Sequence, residues 1–360
     1  MTIQNSKLSV HLLTRDGAKY LPYLFASLRE QTFQDWQLFI LDNASTDKTV
    51  EAIKKELESF DRPWQLAENK ENVGFARGHN QLFNTNYQLP ITNYALLLNQ
   101  DVILAPDYLE KLVELMDANP QTGAAQGTLF RWDFEKLEKT DTIDTLGLCV
   151  LKNRRVIDQM AGVKIPLSPP FPKGKNKENF LPFAKGELER DFVKKKYKIP
   201  TEIFGVSGAL PMYRRQALED VKINNEVFDE DFVSYKEDVD LAYRLRSAGW
   251  RAYLAPQARA WHDRSSTPAR DKRGELINYY SYRNHLLVLL KNEYSANFLK
   301  DLSWIFWYEL KKFVYLLFFE RGTLKGWKDI WRLWPKMRCK RAIIKAKRKL
   351  SAHKIRQWFN

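Results

Sequence analysis

Four short segments in the first hundred residues read as strands, three of them apolar runs that stop at a cluster of polar side chains, and helical periodicity repeatedly follows. Residues 8–13 form the first run, with Thr14-Arg15-Asp16-Gly17 after it and a periodic stretch at 20–31. Residues 38–41 stop at Asp42-Asn43-Ala44-Ser45-Thr46-Asp47, whose short side chains can cap a helix at 49–60. Residues 64–68 read as a third strand, and Asn72-Val73-Gly74-Phe75 leads into a helix at about 77–86. The fully apolar run 94–98 terminates in Asn99-Gln100-Asp101. Such alternation implies an α/β fold with a mostly parallel sheet, which binds ligands outside the carboxyl ends of its strands. Every polar cluster named so far lies at such an end.

Beyond residue 160 the pattern changes. Residues 164–200 are rich in Lys and Pro and weakly periodic, which reads either as a mobile loop over the site, at about 163–200, or as a variable insertion. Phe204-Gly205-Val206-Ser207-Gly208-Ala209 comes next, then a helix containing 237–248 and a strand at 252–254. The chain divides into an α/β domain, 1–268, and a helical, aromatic region, 269–360. Segment 303–319 nears membrane-spanning length, but Glu309, Lys311 and Lys312 interrupt it near its middle. Each charge is costly at a bilayer centre, so a helix lying on the surface is expected rather than one crossing it.

The net charge of +14 resembles a nucleic-acid footprint until its location is checked. The last forty residues hold fourteen Lys or Arg and one acid, Asp329, a net +13 that leaves the body near neutral. With Trp327, Trp331, Trp334 and Trp358 interleaved, this tail suits an anionic membrane surface, and no nucleic-acid module accompanies it. Cys149 and Cys339 suggest no disulfide framework, and the N-terminus lacks the features of a signal peptide. A cytoplasmic protein, peripheral on the inner face of the membrane, is expected.

Three constellations can carry chemistry, and each has a plain structural explanation beside the functional one. Asp101 ends a buried strand, where a carboxylate could hold Mg²⁺ or Mn²⁺ against a diphosphate or could merely form an Asx turn. Tyr235-Lys236-Glu237-Asp238-Val239-Asp240 opens an amphipathic helix. Acids in a first turn satisfy the helix dipole, and one of them could equally act as a general base. His262 follows a strand, and a lone histidine is usually a hydrogen-bonded structural residue; as a ligand it would add a second contact to the same cation.

Taken in order, these motifs resemble the family 2 glycosyltransferases, whose fold is the Rossmann-like GT-A, and among them most closely the bacterial rhamnosyltransferases. The resemblance runs from about residue 9 to 266 and is strongest in the opening segment, through the turn Asp42-Asn43-Ala44-Ser45-Thr46-Asp47. It implies that Thr14, Arg15 and Asp42 contact the donor nucleotide, and that Asn72, Gly74, Phe75, Arg77 and Asn80 line the donor pocket, Arg77 near a phosphate. Asn99-Gln100-Asp101 stands where the family has Asp-x-Asp, so Asn99 is expected on the sugar or ribose and Asp101 on the metal, with His262 as the second protein ligand. In the family's Glu-Asp motif the second acid is the base, here Asp238. Gly205, Ser207 and Gly208 are expected beneath the sugars, with Glu237 and Trp250 on the acceptor side.

The chemistry implied is a single displacement that inverts the anomeric carbon. A divalent cation, Mg²⁺ or Mn²⁺, would offset charge on the departing diphosphate while Asp238 takes the proton from the acceptor hydroxyl. The resemblance implies dTDP-rhamnose as donor, with a UDP-hexose as the alternative, and a saccharide acceptor, lipid-linked, in the synthesis of a surface polysaccharide. A nucleotidyltransferase is disfavoured because its Gly-rich loop with an adjacent Lys is missing near the N-terminus. A catalytically silent relative acting as a membrane-bound assembly partner is opposed by the joint presence of Asp42, Asp101, Asp238 and His262.

Overall fold

The computed structural model describes residues 6–85, 92–164, 199–264 and 272–360. The expected loop at 163–200 lies almost wholly outside the described residues.

The first half follows the expected alternation: β1 (Leu8–Thr14), α1 (Leu21–Arg29), β2 (Trp36–Asp42), α2 (Thr49–Leu57), β3 (Trp64–Glu68), α3 (Phe75–Thr85) and β4 (Tyr94–Asn99). In α1 the buried positions Leu21, Leu24, Phe25 and Leu28 recur at helical spacing, so one apolar stripe faces the sheet. The strands β4, β1, β2 and β3 lie side by side and parallel, and their carboxyl ends carry Asn99, Thr14, Asp42 and Glu68 in a row. Both faces of this sheet are covered, by clusters around Leu8, Val10, Leu12 and Leu96 on one side and Ala95, Leu97, Phe130 and Tyr213 on the other. That explains why the central strands read as continuous apolar runs.

Past β4 come β5 (Val102–Leu104), α4 (Tyr108–Ala118), β6 (Thr122–Asp133), β7 (Glu138–Thr145), β8 (Leu148–Val150), β9 (Val156–Asp158), β10 (Thr201–Ile203), β11 (Met212–Arg214), α5 (Arg215–Val221), α6 (Glu237–Ser247) and β12 (Arg251–His262). The sheet runs β10-β12-β6-β11-β4-β1-β2-β3, with β11 antiparallel to both neighbours. β12 is far longer than the three-residue strand expected from the sequence, because its second half pairs with both β6 and the short β5. The β5 pairing sets His262 opposite Val102, and that register brings Asp101 beside a histidine 161 positions later in the chain.

The C-terminal helices are α7 (Lys272–Asn292), α8 (Ser295–Lys300), α9 (Leu302–Phe319), α10 (Gly326–Lys347) and α11 (Ala352–Arg356). They are joined to the α/β body by buried ion networks. Lys291 lies 2.5 Å from Asp229 and 2.9 Å from Asp240, Lys340 bonds Asp229 and Asp231, and Arg154 bonds Glu293 at 2.7 Å and Asp301 at 3.1 Å. Removing one partner of such a set leaves a buried charge uncompensated, at a cost of about 3–5 kcal/mol. The basic tail is therefore not wholly a solvated surface. Lys340, Arg341, Lys347, Arg348 and Arg356 turn inward, onto carboxylates or onto backbone carbonyls.

On α9 the outward face is apolar. Trp304, Phe306, Trp307, Phe318 and Phe319 are 56–74% exposed. Among the described residues no helix is long and apolar enough to cross a membrane, in agreement with the charges read at the middle of this segment.

Candidate active site

The loops after β1, β2 and β4 are laced to one another at the carboxyl edge of the sheet. Asp42, buried, accepts hydrogen bonds from Thr14 Oγ1 (2.9 Å), the Ser45 amide (2.8 Å) and Ser45 Oγ (2.6 Å). Asp16 accepts from the Thr46 amide at 2.7 Å, and the Gly17 amide donates to Thr49 Oγ1 at 2.8 Å. Gln100 pairs both ends of its amide with the backbone of Arg15, at 2.9 and 2.8 Å. The bonds to Asp42 and Asp16 are charge-assisted, and with the neutral ones they hold the polar rim rigid.

A second layer follows. Asn43 donates to Asn72 at 2.8 Å and accepts from the Val73 amide at 3.0 Å, while Asn72 accepts from the Gly74 amide at 2.9 Å. Gly74 has φ +84°, and a Cβ there would lie 2.7 Å from the Val233 carbonyl oxygen, so only glycine fits. That same carbonyl accepts from the Ala76 amide at 3.1 Å, and the Phe75 amide donates to Ser234 Oγ at 3.3 Å. Thr14, Arg15, Asp42, Asn72, Gly74, Phe75 and Asn99 thus gather along one edge of the sheet. Arg77 is exposed, with its Nε 3.8 Å from Glu230. Asn80, expected in the donor pocket, is instead buried with its amide committed to the backbone of Phe228 at 2.8 and 2.9 Å, pinning α3 to the chain ahead of α6.

Next along the edge stand Asp101 and His262. His262 Nε2 lies 3.5 Å from Asp101 Oδ1, and its Nδ1 is 2.9 Å from the buried carboxylate of Asp144 on β7. Burial opposes charge on the imidazole, but the two carboxylates override it and push the group up to about 10. Burial likewise works against the Asp144 carboxylate, yet His262 and Arg264 hold it below its ordinary range. A histidine oriented by a carboxylate on its second nitrogen, with an acidic oxygen beside the first, is a donor set suited to a divalent cation that displaces the imidazole proton. Among the described residues no cluster of three or more His, Cys, Asp or Glu is placed to hold a metal. Two side chains are an incomplete shell, which suits a cation carried in with a diphosphate.

Asp238 lies in the first turn of α6 on the wall of a cavity of ≈ 540 Å³, together with Glu237, Ser207, Tyr282, Tyr308 and Lys312. Its Oδ2 accepts from the Gly208 amide at 3.1 Å and its Oδ1 from the Val239 amide at 2.7 Å. Burial is the main cause raising its pKa, with Lys236 working the other way. Glu237 is pushed up to about 8 by burial and by the neighbouring Asp238 charge, and its Oε2 has no hydrogen-bond partner among the described residues. A carboxylate with a raised pKa in a concave site matches what a general base requires.

The approach to Asp238 is strained. Val233, Tyr235 and Lys236 have φ of 64°, 70° and 70°, and the Ser234 amide donates to the Phe232 carbonyl in a γ-turn about Val233. Asn284, fully buried on α7, holds this segment by donating to the carbonyls of Phe232, Ser234 and Tyr235 at 2.9, 2.8 and 2.7 Å. The helical region therefore shapes the site.

Trp250 and Gly205, like Asn80, take packing roles in the structure. Trp250 stands past the far end of α6 from Asp238, and its Nε1 donates to Asp220 at 3.1 Å, so it belongs to the core packing there. Gly205 is explained by packing, because a Cβ would come within 2.4 Å of the Ala242 methyl on α6. Ser207 does line the cavity, and its amide donates to Gln126 at 2.6 Å. Sequence reasoning missed Gln100, Asp144, Asp158, Arg264 and Asn284. Of these Gln100 sat inside a motif and Arg264 stood two residues from His262; the buried carboxylate of Asp144, in a strand otherwise rich in polar residues, left a weak signal.

Residues 9–222 match the sequence profile of glycosyl transferase family 2. The chain belongs to this family. A relative from Mycobacterium tuberculosis, N-acetylglucosaminyl-diphospho-decaprenol L-rhamnosyltransferase, is 23% identical over 307 residues, 82% of this chain and 88% of the relative. Among solved structures, residues 1–349 of S. aureus TarS superpose with a TM-score of 0.53 at 14% identity, covering 98% of this chain and 91% of that one. GalNAc-T7 with UDP, GalNAc and Mn²⁺ superposes with a TM-score of 0.56 at 12% identity over 79% of this chain, which spans 48% of GalNAc-T7. The GT-A fold is thereby established, and this family 2 member is a glycosyltransferase.

Proposed function

We propose that this glycosyltransferase moves a sugar, with inversion, from a nucleotide sugar to a hydroxyl of a lipid-linked saccharide. The observation that carries the reading is the placement of Asp238, with a raised pKa, on a cavity wall at the same sheet edge as Asp101 and His262. The laced rim of Thr14, Asp42 and Asn72 takes the nucleoside, and its side chains are already fixed by one another. Asp238 accepts the proton of the attacking hydroxyl, and the Gly208 amide keeps its carboxylate aimed at the cavity. Such general-base assistance contributes about 10²–10⁴-fold in rate. Asp101 and His262 would hold a divalent cation, Mg²⁺ or Mn²⁺, which when bound would supply positive charge against the leaving diphosphate.

The donor we assign is dTDP-rhamnose, and the acceptor a diphosphoprenol-linked N-acetylglucosamine, in polysaccharide synthesis. The similarity to the mycobacterial rhamnosyltransferase, which extends over most of both chains, supports both assignments. The exposed aromatic face of α9 supports a site at an anionic membrane surface, and we assign the protein to the inner face of the cell membrane. The test is a panel of nucleotide sugars offered with Mn²⁺ or Mg²⁺ and a diphosphoprenol-linked N-acetylglucosamine. Transfer of rhamnose alone, and only with metal, is the expected outcome; transfer of a hexose from a UDP donor would replace the assigned sugar.

A further inference from the structure

We propose that Arg155, Lys236 and Lys312 form a binding site for the diphosphate of the acceptor, in the cavity wall beside Asp238. The proposal rests on the acceptor reading given above. Four cationic side chains, Arg155, Lys236, Arg264 and Lys312, line this cavity. Arg264 is used internally, bonded to Asp144 at 3.0 Å and to Asp158 at 2.6 Å. No carboxylate of the described residues pairs with the other three.

They converge from distant parts of the chain: Arg155 just ahead of β9, Lys236 immediately before α6, and Lys312 in the middle of α9. Asp158, Glu237 and Asp238 line the same wall, but Asp158 is bonded to Arg264 and, among the described residues, none of the three forms an ion pair with Arg155, Lys236 or Lys312, whose mutual repulsion a bound anion relieves. Burial, assisted by Lys312, holds the Lys236 ammonium below its ordinary range despite the nearby Asp238 and Asp158. The cavity, ≈ 540 Å³, has room for a diphosphate and the sugar attached to it. Lys236 is two residues from Asp238, so an anion held there sets the acceptor sugar next to the base. Lys312 shares α9 with the exposed Trp304, Trp307 and Phe318, so the lipid end of the acceptor leaves along the face that suits a bilayer. The charge that bars α9 from crossing a membrane thus acquires a use.

A headgroup phosphate offers the same chemistry, and the experiment separates the two sources. Full-length protein in detergent is assayed with two acceptors, N-acetylglucosaminyl-diphospho-prenol with a short prenyl chain and an alkyl N-acetylglucosaminide without phosphate. The readout is the ratio of their kcat/KM values, which is internal to each preparation and therefore insensitive to a misfolded fraction. Lys312→Ala and Arg155→Ala should each lower the ratio tenfold or more, and Lys312→Arg should restore most of it. An unchanged ratio would overturn the proposal. So would an unchanged ratio accompanied by lost binding to anionic vesicles, because the cations would then be reading headgroups. A wild-type protein without preference for the diphosphate acceptor would overturn the acceptor reading itself, and the site with it.

Discussion

Asp144 sits near the end of a strand that no sequence motif marks, yet it orients the imidazole that faces Asp101. Its importance comes from the β6–β7 pairing and from the length of β12, neither of which a linear pattern reveals. By contrast Asp42, Asp101, Asp238 and His262 stood out because each lies at or just past the end of a strand or in the first turn of a helix. Asp144→Asn should weaken the apparent Mn²⁺ affinity in a transfer assay by about 10–100-fold, the usual cost of losing such a support; an unchanged metal titration would remove Asp144 from the site. Glu237 yields a different prediction. Its folded value of about 8 exceeds the ordinary 4.5, so the folded chain keeps a proton that the unfolded chain has lost, and stability from this group is full below pH 4.5 and declines as pH rises toward 8. Glu237→Gln should therefore raise Tm at pH 8 much more than at pH 5, and equal shifts at both would contradict the assignment.

At the level of elements, the segment ahead of α6 joins the two halves of the site. Position 74 must be glycine because a Cβ there would meet the Val233 carbonyl, and Val233 lies in the turn that leads to Asp238. A φ of 64° at a β-branched residue costs about 1–3 kcal/mol and persists only when its surroundings impose it. Asn284 is the main constraint, with three carbonyls on one amide nitrogen. Asn284→Ala should cost about 1–3 kcal/mol in denaturant unfolding, because buried carbonyls lose their donor, and should lower kcat as Asp238 loses its position. Wild-type stability and kcat in this variant would refute the constraint. The motif containing Gly74 stood out in the sequence, but the reason for its glycine did not, since the carbonyl it meets is 159 residues away. Helix α6 was readable to within a residue of its end, because its acids and its apolar stripe are local.

At the scale of the molecule, the sequence showed where the charge lies but not which way it points. Nearly all of the +14 sits in the last forty residues, and several of those cations neutralise buried acids or cap carbonyls of the body. Deleting the chain from residue 321 should therefore unfold the protein rather than release it from a membrane. The discriminating variant is Trp304→Ser with Trp307→Ser and Phe318→Ser on the exposed face of α9. It should lower binding to anionic vesicles at least tenfold at unchanged Tm, and undiminished binding would remove the membrane assignment. In the proposed reaction one carboxylate, Asp238, held by the Gly208 amide, takes the proton of the acceptor hydroxyl. The most direct test of this step is sugar transfer by wild-type protein and Asp238→Asn, with donor binding measured alongside. The wild type should give product of inverted anomeric configuration, and Asp238→Asn should lose at least 100-fold in transfer with donor affinity retained; transfer by Asp238→Asn at the wild-type rate, or a product of retained configuration, would refute the role of Asp238.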